Sequence, residues 1–113
     1  MSNKPIIKDD PLYRLLRENK IDVFNEHKAK GKNCDLTGCD FRGLDLRGLD
    51  AHGLNMSNCY FRQADLRGID FSNTCLNGAS IHSAKIAGTY FPKELMADDI
   101  VLSLMHGTRM RYR

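Results

Sequence analysis

Long hydrophobic runs are missing from this sequence. The longest unbroken aliphatic stretch is Ile100-Val101-Leu102, far short of the roughly 20 residues a membrane helix needs. The opening MSNKPIIKDD holds no apolar h-region, so a secretory leader is not expected and a cytoplasmic location is. Strong charge of one sign is also lacking: 17 Lys and Arg against 14 Asp and Glu leave +3 over 113 residues. The four cysteines form no Cys-x-x-Cys pair, and no GxGxxG or GxxxxGK[ST] loop occurs, which removes the usual sequence support for zinc and for phosphate binding. Ser57, Ser72, Ser80 and Ser83 stand in no nucleophile-elbow context, and His27, His52, His82 and His106 have no evident partner set. No enzyme, cofactor or metal is expected. Disorder is not expected either, because 42% of residues are apolar and 27% charged, near the globular norm.

What the chain does have is glycine in phase. From Cys34 it divides into twelve five-residue units ending at Lys93, without insertion. The third position reads Leu36, Phe41, Leu46, Ala51, Met56, Phe61, Leu66, Phe71, Leu76, Ile81, Ile86 and Phe91. The first position is apolar or small throughout, from Cys34 to Thr89. The second is Asp or Asn in seven units, and the fifth is Gly in seven. A random set of twelve positions would hold roughly one glycine. Neither a helix, with period 3.6, nor a strand, with period 2, repeats every five residues. The apolar spacing alternates 2 and 3, so each unit is a short extended piece followed by a bend. Glycine suits the bend because it tolerates positive φ, and Asn58 and Asn73 are expected to serve in its place. A single unit buries nothing alone, so stacked coils are needed to make a core.

Units such as Ala64-Asp65-Leu66-Arg67-Gly68 and Leu44-Asp45-Leu46-Arg47-Gly48 resemble those of the pentapeptide-repeat family, commonly written A(D/N)LXX. The resemblance implies a β-solenoid: a right-handed quadrilateral β-helix of about three coils, four repeats to a coil, first and third positions inward. The expected inward stacks are then Leu36-Met56-Leu76, Phe41-Phe61-Ile81, Leu46-Leu66-Ile86 and Ala51-Phe71-Phe91. The late units depart from the pattern: Cys75, Ser80, Lys85 and Tyr90 replace the acidic second position, and Phe91-Pro92 breaks the unit.

Three segments follow. Residues 1–33 are read as a helical N-terminal cap, with Asp10-Pro11 starting one helix and Asp22, Val23 and Phe24 opening a second that stops at Gly31. Residues 34–93 are the repeat region. Residues 94–113 hold a C-terminal helix beginning near Asp98-Asp99, with Leu95, Met96, Ile100, Val101, Leu104 and Met105 as its apolar side, and a basic tail, Arg109–Arg113, read as mobile. The helix either covers the last coil or packs on its copy in a homodimer; in the family a C-terminal segment often mediates dimerisation.

Two surface readings stay open. Arg42, Arg62 and then His82 line one face, and Arg47 and Arg67 the next. These are either an anion or acidic-partner surface or a solvated ion-pair mosaic with Asp40, Asp45 and Asp65. Cys39 and Cys59, 20 residues apart, are read as small buried thiols on adjacent coils, and Cys75 as the most reactive thiol. The functional expectation is a non-catalytic interaction or scaffold module for an unknown protein partner. Some family members modulate DNA gyrase by mimicking duplex DNA, which needs a long acidic rod. Here residues 34–93 carry six basic and six acidic side chains, a net of zero. Direct nucleic-acid binding would have to use the basic ends, Lys28, Lys30, Lys32 and the tail.

Overall fold

The computed structural model describes residues 4–113; residues 1–3 of the expected N-terminal cap lie outside them. Two short helices come first, α1 over Pro11–Arg17 and α2 over Ile21–Ala29. Asp10 starts α1: its carboxylate accepts from Leu12 N at 2.8 Å and Tyr13 N at 3.0 Å, and Pro11 sits where a missing N–H costs nothing. α2 starts one residue earlier than its acidic residue suggested, directly after a left-handed bend at Asn19. Ile21 and Phe24 turn inward and Val23 stays outside.

The repeat region pairs with itself 20 residues on. Parallel bridges join Asp40 to Tyr60, Asp45 to Asp65, Asn55 to Cys75, Tyr60 to Ser80, Asp65 to Lys85 and Asp70 to Tyr90. Four five-residue units therefore complete one turn, and the twelve units make three stacked turns. Among the described residues the pairing is confined to isolated bridges, with no longer strand. The reason lies in the unit itself. After each short extended piece, the first-position N–H of the next unit donates back to the third-position carbonyl, as in Leu44 N to Phe41 O at 3.2 Å and Ala64 N to Phe61 O at 2.9 Å. A bend every five residues leaves no room for a strand.

The bends mostly need positive φ at the fifth position, the third residue of a four-residue turn. Gly78 needs it most: its φ is +82°, and a Cβ there would lie 2.1 Å from Asn58 Oδ1. Asn58 takes the left-handed conformation as its glycine-like role required, but Asn73 does not; Thr74 N still closes that turn on Phe71 O at 3.0 Å. Two residues not anticipated there, Gln63 and Ser83, adopt φ +59°.

Inward side chains form one continuous core. Leu36, Phe41, Leu46, Met56, Phe61, Leu66, Phe71, Leu76 and Ile81 are buried, each worth about 1.5–3 kcal/mol. Rings run through it: Tyr13 meets Phe41 edge-on at 5.5 Å, Phe41 stacks on Phe61 at 5.3 Å, Phe61 tilts against Phe71, and Phe71 lies over Phe91 at 6.5 Å. Ile86 and Phe91, expected in the core, are only half-buried, because no further turn covers that part of the stack.

α3 spans Ala97–His106 and ends at Gly107, whose φ of +77° lets its N–H bond Ser103 O at 2.8 Å. The tail beyond it is not mobile. Met110 is fully buried, Tyr112 bridges Leu95 in antiparallel sense, and Arg113 pairs with Asp99 at 3.1 Å. Among the described residues, no helix is long and apolar enough to cross a membrane.

Candidate functional site

The second-position acid has a local task before any other. Its carboxylate or amide oxygen accepts the backbone N–H two residues on, at Thr37, Arg42, Arg47, His52, Ser57, Arg67 and Ser72. This pins the fourth-position residue in place. Where that residue is Arg, its guanidinium folds back onto the same carboxylate in a two-bond fork. Arg42 grips Asp40 at 3.0 and 2.9 Å, Arg47 grips Asp45 at 2.9 and 2.8 Å, and Arg67 grips Asp65 at 2.9 and 2.7 Å. Arg47 also reaches Asp65 in the next turn at 3.3 Å. The guanidinium forks lower the carboxyls of Asp40, Asp45 and Asp65 from the usual carboxylate range, Asp65 well below it.

Three of the four grid arginines are thus neutralised by their own repeats. Arg62 differs. Tyr60 stands where its carboxylate would be, and Arg62 makes no ion pair among the described residues. It lines an open depression of about 410 Å³ with Asp40, Arg42, Gly43 and Gln63. His82 follows Arg62 in the register, with Gln63 N on His82 O at 2.9 Å. It lies under the end of α3, where a methyl group on Gly107 would stand 3.4 Å from its side chain.

The thiols make poor nucleophiles. Burial pushes Cys34 and Cys39 up to about 11 and Cys59 up to about 12, so all three stay protonated at neutral pH. The Cys59 thiol donates to Leu36 O at 2.9 Å. Thr74 and Thr89, also at inward first positions, donate to Ala51 O and Leu66 O, each at 2.7 Å. These polar first-position groups satisfy bend carbonyls one turn away. Cys75 is half-buried and, like the other cysteines, free.

The C-terminal helix divides its apolar residues. Ile100 and Leu104 pack on the core together with buried Leu95. Met96, Val101, Leu102 and Met105 face outward, 56%, 50%, 48% and 62% exposed. Polar residues do the anchoring instead: Ser103 Oγ accepts from Ile81 N at 2.9 Å, and Asp99 receives Arg113. Sequence reasoning missed these anchors, and it missed the tail. Arg109 donates to Gly78 O at 2.8 Å and to the Tyr60 hydroxyl, with its guanidinium 5.0 Å from the Tyr60 ring centre. A signal was present: Arg109-Met110-Arg111-Tyr112-Arg113 alternates basic and apolar with the period of a strand.

The family model for pentapeptide repeats matches residues 32–63 and 55–91, in 8 copies. Neither a curated protein nor a solved structure matches the chain. The chain belongs to the pentapeptide-repeat family, whose members are commonly non-catalytic.

Proposed function

We propose that this pentapeptide-repeat protein is a non-catalytic protein-interaction module. In this reading its three stacked turns are the right-handed quadrilateral β-helix of the family, serving as a rigid support, and the outer side of α3 is the contact surface. One observation carries it: Val101, Leu102 and Met105 lie exposed on α3, and Met96 is exposed at its N-cap, whereas the arginines that offered a rival surface are mostly occupied by Asp40, Asp45 and Asp65. An apolar cluster held outward by a polar anchor on its inner side is what a partner-binding face looks like. A second copy and a different protein both fit it, since either would bury the same side chains.

DNA mimicry and direct nucleic-acid binding gain no supporting observation. The described residues span 36 × 30 × 23 Å, about one turn of DNA at most. Arg109 and Arg113 of the tail are engaged within the fold, so the tail is no free basic arm.

A photo-crosslinking residue at Leu102, compared with one at Ser72 on a repeat face, tests the proposal in native extract. A crosslinked protein, self or other, is expected from Leu102 and should vanish in a Val101→Glu, Met105→Glu double variant that keeps its melting temperature. No crosslink from Leu102, or an equal one from Ser72, would overturn it.

A further inference from the structure

Every turn of the stack offers hydrogen-bonding groups to the turn beyond it. In six of the eight units of the first two turns the third-position N–H and first-position C=O are met by the next turn, as in Phe41 N to Tyr60 O at 2.8 Å and Tyr60 N to Cys39 O at 3.0 Å; the units of Leu36 and Ala51 are the exceptions. The third turn has no successor, so its outer edge must be met by something else. Over units 74–83 it is. Leu76 N donates to the Tyr112 hydroxyl, Gly78 N to Met110 O, Met110 N to Ala79 O, Ile81 N to Ser103 Oγ and Ser83 N to Leu104 O.

Over units 84–93 the edge is open. Ala84 O, Ile86 N, Gly88 N, Thr89 O and Phe91 N have no backbone partner among the described residues. The inner edge of the same units is paired at both second positions, through Leu66 N to Lys85 O, Lys85 N to Ala64 O, Phe71 N to Tyr90 O and Tyr90 N to Ile69 O. The backbone there is therefore held in ladder geometry, ready to pair. Beneath it, Ile86 and Phe91 are half-buried where Leu66 and Phe71 one turn below are fully buried. An open ladder edge over a half-covered core is an invitation to an added strand.

The chain fills comparable edges twice with its own extended backbone. Ile6 adds to the first turn, with Ile6 N on Gly38 O at 3.0 Å and Asp40 N on Ile6 O at 2.9 Å. Met110 adds to the third. The open edge differs in running around a corner at Gly88, φ +72°, so a straight strand meets only one unit of it. Its occupant must bend every five residues. Charge is specified as well: Lys85 and Lys93 are exposed, and 84–93 holds no acid.

We infer that the open half-turn Ala84–Phe91 is a docking edge for an extended, bent segment of a partner protein with the chemistry of the repeat itself. That segment carries a small residue, an outward acid, an inward apolar residue over Ile86 or Phe91, and a glycine-like bend. This deepens the interaction-module reading and rests on it, but it uses a different surface from the outer side of α3, so a failed Leu102 crosslink and a failed edge experiment are distinguishable.

The probe is a synthetic peptide of residues 64–73, ADLRGIDFSN, the pair of units that already lies against this half-turn from the inner side. The full-length protein, labelled with ¹⁵N, is followed by amide shifts and hydrogen exchange. In the free protein the Ile86, Gly88 and Phe91 amides are expected to exchange fast, whereas Leu66 and Phe71 are protected. Saturable shifts confined to 84–93, with at least roughly tenfold slower exchange at Ile86, Gly88 and Phe91, support the proposal if a scrambled peptide produces neither. Absent or scattered shifts overturn it. Protection at those amides in dilute free protein overturns it, because the edge would already be covered. Protection that appears only as protein concentration rises also overturns it, because a second copy would then be the occupant.

Discussion

The two ends of the stack are closed by different means. At the first turn, side chains from a helical cap reach onto the exposed edge. The Tyr13 hydroxyl donates to Asp40 O at 2.6 Å, Arg17 donates to the same carbonyl at 2.9 Å, and Asn25 bridges Gly48 O and Asp50 N. Tyr13 also plugs the core, its ring edge-on to Phe41. At the third turn the cap is a helix held by a serine and a five-residue tail, and it covers one half only. A helix pair that inserts an aromatic ring meets the edge at Asp40, Gly48 and Asp50, leaving Asp45 N and O without a backbone partner among the described residues, and extends the core. A tail laid along the edge seals hydrogen bonds and adds little volume beyond Met110. Stability should therefore be concentrated at the first turn, and openness to partners at the third.

Matched tyrosine truncations make the largest test of that asymmetry. Tyr13→Ala removes a fully buried ring together with the hydroxyl on Asp40 O and is expected to cost about 3–5 kcal/mol. Tyr112→Ala removes a half-buried ring whose hydroxyl accepts from Leu76 N and donates to Thr74 O, and is expected to cost about 1–2 kcal/mol. Urea unfolding of both variants reads the difference directly. Equal costs would mean that the tail closes its end as firmly as the helices close theirs.

A second test sets the middle of the stack against both ends. The forks on Asp40, Asp45 and Asp65 depress those carboxyls in the folded protein. A depressed carboxyl contributes stability that is fully present above its unfolded value, near 3.9, and is lost as pH falls through that value towards the folded one. The melting temperature should stay level from about pH 7 to 5 and then drop as pH falls below about 4. Asp65 takes part in two pairs, with Arg67 and with Arg47 of the turn below, so Asp65→Asn should flatten that drop more than Asp45→Asn does. An Asp65→Asn profile that overlays the wild type below pH 4 would break the assignment.

How much of this could be read in advance follows from the range of each contact. The inward stack of Phe41 on Phe61 was legible because the five-residue period, with the four repeats per turn that the family resemblance implies, fixes which residues meet. The arginine forks were legible as pairs, since acid and base are two residues apart. Their saturation was not, because whether a carboxylate spends itself on its own repeat depends on geometry. Arg62 stands out only once Tyr60 is seen in the acid's place. The closures were hidden for a different reason. Ser103 on Ile81, Asn25 on Gly48 and Met110 on Gly78 are single contacts between distant parts of the chain, and no period announces them. The half-burial of Ile86 and Phe91 follows from the same ignorance, because the repeat rule assigns every third position alike and says nothing about which turn is last.

The smallest test uses strain. Gln63 and Ser83 both occupy the left-handed region at φ +59°, where a side chain costs roughly 1–2 kcal/mol. Glycine relieves that cost but gives back about 0.5–1 kcal/mol in chain entropy. Gln63 sits in the second turn, with its N–H on His82 O at 2.9 Å and turns on both sides, so its backbone has nowhere to relax. Gln63→Gly should therefore stabilise by about 0.5–1 kcal/mol, read as a higher urea midpoint at unchanged slope. Ser83 donates to Leu104 O and immediately precedes the open half-turn, where the backbone can give. Ser83→Gly should gain less than Gln63→Gly. Equal gains would show the third turn to be as tightly held as the second, and the contrast between the two ends would then rest on hydrogen bonds alone rather than on rigidity.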